Sequence, residues 1–179
     1  QGRTARFATA VYAVCDTRNR IARIASAGHP SVLHLASPQV GGTIGEIPST
    51  GGLLGIFDEE RYQQIEVRLG PGEGLVFHSD GFEQAFPRDP EDHVGRRIPN
   101  EHHRSVIEDL ASREEPEEMI CDVHTLLDGH RGSLHQQDDL TMICMRTDSS
   151  RCDEGQKGHG RSIASCLAEG EPRSQRVAG

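Results

Sequence analysis

The 179 residues suit one domain of ordinary size, long enough to bury a sizeable core. Apolar residues make up 34% and aromatics 4%, with no Trp, so that core rests on Leu, Ile, Val and Ala. The formal net charge of −9 argues against general nucleic-acid binding, which needs a basic face, and no apolar run approaches the roughly 20 residues of a membrane span.

The charge is unevenly spread. Residues 148–179 hold five acidic and five basic side chains, so the whole acidic excess lies in 1–147. An acidic domain is compatible with binding cations. The five cysteines form no CxxC pair. Cys15, Cys121 and Cys144 stand among apolar residues and read as buried thiols, which points to a reducing compartment. No signal peptide is visible, and a cytoplasmic location is the expectation.

Residues 6–15 read as a strand, Asp16-Thr17-Arg18-Asn19 as a turn, and 20–27 as the returning strand of a hairpin, with Ile21 and Ile24 apolar. Gly28-His29-Pro30 breaks it. Another strand starts in 31–36, with Val32, Leu33 and Leu35. Strands begin at once, with no helix before them, so part of the domain is expected upstream. Residues 37–55 are rich in Gly, Pro, Ser and Thr and read as loop; their glycines match neither GxGxxG nor GxxxxGK[ST], which rejects a nucleotide loop. Ile65, Val67 and Leu69 then alternate with Gln64, Glu66 and Arg68, a half-exposed strand. Pro71-Gly72-Glu73-Gly74 makes a tight turn and predicts a hairpin between this strand and the next.

That next strand is Leu75-Val76-Phe77, apolar on both faces as an interior strand requires. It stops at His78-Ser79-Asp80-Gly81. Gly81 allows a sharp turn that a side chain would oppose. Asp80 is thereby set at a rigid strand end, where a carboxylate can be held for a metal or a substrate. Asp-Gly is equally an ordinary turn signal. Residues 87–100 read as a surface loop. Asn100 caps a helix through Val106, Ile107 and Leu110, with His102 and His103 on its solvated face. Pro116 opens a second helix, which carries Met119, Ile120, Val123, Leu126 and Leu127 as a core stripe and ends at Gly129 or Gly132.

Gln136-Gln137-Asp138-Asp139 leads into a strand, 140–146, apolar on both faces. Successive strand residues point oppositely, so one aspartate would ligate and the other hydrogen-bond. Residues 148–179 lose all periodicity and read as a disordered tail. Hard divalent cations want rigid carboxylate oxygens. If neighbouring strands bring Asp80 and Asp138 together, they make half of a two-metal hydrolytic centre; otherwise they are unrelated turn carboxylates. His29 reads as a turn or site residue, and His78 as packed or hydrogen-bonded. No histidine shows zinc-site spacing, and Ser79 lacks the GxSxG setting of a hydrolase nucleophile.

Five short motifs follow one another: Ala25-Ser26-Ala27-Gly28-His29-Pro30, Leu53-Leu54-Gly55-Ile56-Phe57, Ser79-Asp80-Gly81, Val94-Gly95-Arg96-Arg97-Ile98 and Gln137-Asp138-Asp139-Leu140-Thr141. In that order the set resembles the SpoIIE-like branch of the PP2C (PPM) metal-dependent serine/threonine phosphatases, bacterial regulators of the RsbU type. The resemblance implies an α+β fold, an α-β-β-α sandwich of two mainly antiparallel sheets flanked by helices. Residues 1–147 would form roughly the C-terminal two-thirds of that domain, with the N-terminal part missing, and 148–179 the tail.

The resemblance further implies Asp80 and Asp138 as ligands for Mg²⁺ or Mn²⁺, two ions in the complete domain, with Asp139 and Gly81 beside them and Gly28 and His29 shaping the site. It implies hydrolysis of phosphoserine or phosphothreonine on a regulatory phosphoprotein, such as an anti-sigma-factor antagonist of the STAS type. The attacking group would be a metal-activated water, and a sensory domain can precede the domain. Two features depart from the family. Its early Gly-Asp motif is not found in residues 1–6, and His78, Glu83 and Gln84 stand where Tyr, Thr and Glu are more usual. A catalytically inactive binding module in a partner-switching pathway is therefore the alternative, and this stretch alone is expected to be weak or inactive.

Overall fold

The computed structural model describes residues 6–86, 102–130 and 139–149. Its strands are β1 (Ala10–Asp16), β2 (Ile21–Ala27), β3 (Val32–Leu35), β4 (Ile44–Ile47), β5 (Gln64–Arg68), β6 (Gly74–His78) and β7 (Met142–Arg146). Its helices are α1 (Phe82–Ala85), α2 (His102–Leu110) and α3 (Pro116–His130). One sheet has the order β1-β2-β5 and the other β4-β3-β6-β7. Every named pairing is antiparallel.

Side-chain alternation decides how the layers stack. Ala22 and Ile24 of β2 and Val67 of β5 face inward and meet Val32, Ile47 and Leu75 of the second sheet, with Leu69. The second sheet's other face puts Leu33, Leu35 and Val76 against Phe82, Ile107, Leu110, Met119 and Val123 of the helices. The order of layers is sheet, sheet, helices. Leu75 and Val76 are adjacent on β6, both fully buried, and belong to the two different cores. That is the two-faced interior strand its sequence predicts. The outer face of the first sheet has no helix on it among the described residues; there Tyr12 and Val14 are 71% and 46% exposed.

Several expectations hold. The β1–β2 hairpin closes through Asp16, whose carboxylate accepts from the Arg18 and Asn19 backbone and from the Asn19 amide. Pro116 is the first residue of α3, where a missing N–H is harmless. Others are corrected. β5 and β6 are not a hairpin: β5 pairs with β2 and β6 with β3 and β7, so the Pro71–Gly74 turn carries the chain from one sheet to the other. The loop expected over 37–55 contains β4, held by its pairing with β3. Cys15 and Cys121 are exposed, and Cys144 is half-buried. Cys15 faces the open end of the inter-sheet space, beside a cavity of about 240 Å³ that Met145 and Leu69 also line. His102 is exposed as expected, but His103 is buried.

The registers orient both sheets the same way. Ala10, Ala27 and Gln64 lie at one end of the first sheet, and Val32, Ile47, His78 and Met142 lie at one end of the second. Residues 28–31 join β2 to β3, so these two ends adjoin. At the opposite end, the Arg146 guanidinium donates to the carbonyls of Ala36, Gly72 and Ala111, from three separate segments. Asn100, the loop expected over 87–100 with its Val94–Ile98 motif, Asp138 and the expected tail from 150 onward lie outside the described residues.

Candidate functional site

β6 ends where the chain must turn under β7. The Ser79 N–H donates to the Thr141 carbonyl at 3.0 Å. The Ser79 hydroxyl donates to the Asp139 carbonyl and accepts from the Thr141 N–H, each at 3.0 Å. Three hydrogen bonds thus fix the residue before Asp80 to the segment around Asp139. Past it, the Phe82 N–H reaches the Ser79 carbonyl at 3.2 Å and the Glu83 N–H the Asp80 carbonyl at 2.9 Å, which starts α1.

Gly81 is needed for closeness rather than for an unusual backbone angle, since its φ is −53°. A Cβ there would stand 2.6 Å from the Asp139 carbonyl oxygen and 3.0 Å from Leu140. The two segments touch through backbone, so any side chain would part them. The sequence-predicted carboxylates Asp80 and Asp139 therefore sit on adjoining segments. Ser79, read as having no hydrolase setting, has its hydroxyl committed to this pin.

Gly28 and His29 lie at the same end. Gly28 has φ +59° and donates its N–H to the Gly51 carbonyl at 2.8 Å. A Cβ at Gly28 would lie 2.6 Å from the Leu53 side chain. The His29 Nδ1 is 3.3 Å from the Thr9 hydroxyl. His29 is also near enough to His78 to lower its proton affinity.

His78 is packed, as its place in the strand predicts. Its ring lies 5.0 Å from His103 and 5.8 Å from Phe82, and its Nδ1 is 3.1 Å from the Ser79 carbonyl oxygen. Burial holds its pKa below the ordinary value of 6.5; His103 and His29 push the same way, while the Ser79 carbonyl and Glu83 oppose. A neutral ring donating from Nδ1 to Ser79 satisfies this environment. His103 is the residue sequence reasoning placed wrongly. The signal was present: positions 103, 107 and 110 share one helical face, and the other two are Ile107 and Leu110.

The Asp80 carboxylate is exposed and has no hydrogen-bond or ion-pair partner among the described residues. A free carboxylate on a fixed strand end is the donor that Mg²⁺ or Mn²⁺ takes. The residues present fit such an ion in kind. Among the described residues no three His, Cys, Asp or Glu side chains gather as a metal site. No described helix is long and apolar enough to cross a membrane.

Comparison with known proteins bears on this arrangement. The family profile of stage II sporulation protein E (SpoIIE) matches residues 1–148. Curated protein sequences give no match. Among solved structures, the chain is similar to the SiaA-PP2C domain of Pseudomonas aeruginosa, with 26% identity and a TM-score of 0.60 over 78% of this chain and 52% of that one. It is similar to the phosphatase domain of SpoIIE from Bacillus subtilis, presoaked with Mn, with 16% identity and a TM-score of 0.55 over 81% and 59%. It is also similar to the RsbU and RsbW domains of a Mycobacterium tuberculosis protein, with 21% identity and a TM-score of 0.59 over 79% and 36%. The chain spans less than two-thirds of each of these structures. A profile match over most of the chain, two antiparallel sheets with helices against one of them, and the order of motifs agree: the chain belongs to the SpoIIE family of PP2C-type phosphatase domains.

Proposed function

We propose that this chain forms part of a metal-dependent protein serine/threonine phosphatase, acting on a regulatory phosphoprotein such as an anti-sigma-factor antagonist. The observation that carries the reading is the Ser79 pin, which ties the Asp80 strand end to the Asp139–Thr141 segment. Asp80 and Asp138 would hold Mg²⁺ or Mn²⁺, with Asp139 beside them. Such an ion, when bound, lowers the pKa of water and neutralises phosphoryl charge. The chain's own residues fix the geometry. Ser79 and Gly81 set the separation of the two carboxylate segments, and Gly28 with His29 bounds the site from the first sheet. The similarity to SiaA and RsbU domains supports a place in partner-switching regulation.

The test is calorimetric titration of Mn²⁺ into the full chain and its Asp80→Asn variant, with phosphate release from p-nitrophenyl phosphate followed in parallel. The expected result is Mn²⁺ binding that weakens at least tenfold in the variant. Equal binding by both proteins would sink the assignment of Asp80. A second reading, an inactive phosphatase-like binding module, draws on His78, Glu83 and Gln84, which depart from the family's usual residues around the Ser79-Asp80-Gly81 turn. It predicts partner binding with no phosphate release at any Mn²⁺ concentration, from this chain and equally from a form extended upstream of Gln1.

A further inference from the structure

β6 ends on His78, one residue before the Ser79 pin and two before Asp80. The pin holds Ser79 through its N–H and its hydroxyl. Neither group fixes how the next peptide unit is turned. That unit holds the Ser79 carbonyl and the Asp80 nitrogen in one plane, so the direction of the carbonyl sets the direction in which Asp80 leaves the strand. The carbonyl accepts from the Phe82 N–H at 3.2 Å, and the His78 Nδ1 stands 3.1 Å from it. Burial favours the neutral His78 ring. A carbonyl oxygen only accepts, so the single proton of that ring must stand on Nδ1 for the bond to form.

Such a bond orients Asp80 only if the ring itself is held, and two aromatic neighbours hold it. Phe82, the first residue of α1, has its ring centroid 5.8 Å away at 56°. His103, in the first turn of α2, has its centroid 5.0 Å away at 59°. Tilted pairs of this kind are an arrangement that aromatic rings prefer. All three rings are buried. His103 reaches this place on the buried face of α2 that it shares with Ile107 and Leu110. Two adjacent buried imidazoles cost more to desolvate than two apolar rings of the same size, which packing alone does not explain.

We propose that His78 is a positioning residue for Asp80, acting through the Ser79 carbonyl, and that His103 keeps the His78 ring in the orientation this requires. The inference rests on the reading of Asp80 as a metal ligand. It goes further in placing control of that ligand on α2, outside the two carboxylate segments.

The test uses the full chain and two substitutions that separate bonding from bulk. His78→Phe keeps a ring and loses the donor. His78→Asn loses the ring and keeps a donor, since its amide nitrogen stands as many bonds from the backbone as Nδ1 does. Partners that orient a metal ligand commonly change affinity by about tenfold or more. Calorimetry is therefore expected to show Mn²⁺ binding about tenfold weaker in His78→Phe and nearer the parent value in His78→Asn. The denaturation midpoints should run the other way, because only the asparagine leaves a void. His103→Leu should weaken Mn²⁺ binding in the parent chain and have no further effect beside His78→Phe. Two readouts need no metal. Nitrogen NMR should show the His78 proton on Nδ1. Hydrogen exchange at the Phe82 and Glu83 amides, which bond the Ser79 and Asp80 carbonyls, should quicken at least fivefold in His78→Phe while β2 amides keep their rates. A proton on Nε2 overturns the proposal, as does His78→Phe exchanging like the parent, or binding Mn²⁺ more tightly than His78→Asn. Mn²⁺ binding that is lost in Asp80→Asn and unchanged in His78→Phe keeps the metal reading and removes the positioning role. Absence of Mn²⁺ binding by the parent removes the metal reading, and the tautomer and exchange rates then decide the positioning role.

Discussion

At the scale of single residues, the candidate site depends on contacts too close to tolerate substitution. Gly81→Ala would place a methyl group 2.6 Å from the Asp139 carbonyl oxygen. Relief requires the two segments to part, at a cost of about 1–3 kcal/mol by analogy with overpacked interiors. The expected outcome is a lower urea midpoint together with weaker Mn²⁺ binding. Ser79→Ala makes a different prediction. It removes two hydrogen bonds and strands the Asp139 carbonyl and the Thr141 N–H. A loss of about 1–3 kcal/mol follows. Ser79→Thr, which keeps the hydroxyl, should recover much of it. If Ser79→Ala unfolds at the same urea concentration as the parent chain, the hydroxyl is not the pin described here.

At the scale of elements, β6 links two cores, so its neighbouring side chains report on different layers. Leu75→Ala should loosen the packing between the sheets, and Met119→Ala on α3 the packing of helix on sheet. Each is expected to cost about 2–5 kcal/mol, since both residues are fully buried. Hydrogen exchange distinguishes them: the first should expose β2 and β5 amides, the second α2 and α3. Uniform exchange in both variants would show that the two cores do not act separately.

Much of this level was legible. The alternation of residues 64–69 and the two-sided run 75–77 each gave a strand of the right kind. The pairing was not legible, because a Pro-Gly turn states that the chain reverses and not which sheet receives it. The patterns themselves held the answer. A strand with one apolar face suits a sheet covered on one side, and one with two suits a sheet covered on both, so β5 and β6 were poor partners from the outset. β4 was missed because Ile44-Gly45-Glu46-Ile47 is short and contains glycine. Its strand character comes from the register with β3. Asp80 and Gly81 could be singled out from sequence as a rigid turn. Their proximity to Asp139 depended on the β6–β7 register, which no local signal carries.

At the scale of the whole molecule, the two ends of the sandwich have different work. The end bearing Ser79 gathers the candidate site, and the other is held together by polar anchors. There the Glu73 carboxylate accepts from the Gly70 N–H at 2.8 Å and faces the His34 ring at 3.2 Å. The His34 hydrogen bond, helped by Gly70 and resisted by burial, lowers the Glu73 pKa below its ordinary 4.5. A depressed carboxylate pKa stabilises the fold fully above the unfolded value and loses that contribution as pH falls through the folded value. Glu73→Gln should therefore cost about 1 kcal/mol at pH 7. The gap between variant and parent should close as pH falls below about 4.5. A gap that stays constant from pH 7 to pH 3 would show that Glu73 acts through shape and not charge.

The Ser79–Thr141 pin joins residues 62 positions apart. A ribosome delivers the first of them long before the second. Until β7 emerges, β6 has a bare edge, and the Asp80 strand end has nothing to be fixed against. Bringing such distant segments together carries a loop-closure cost that only the completed pairing repays. The growing polypeptide is thus kept without its candidate site until β7 emerges, and β7, the last strand among the described residues, acts as its timer.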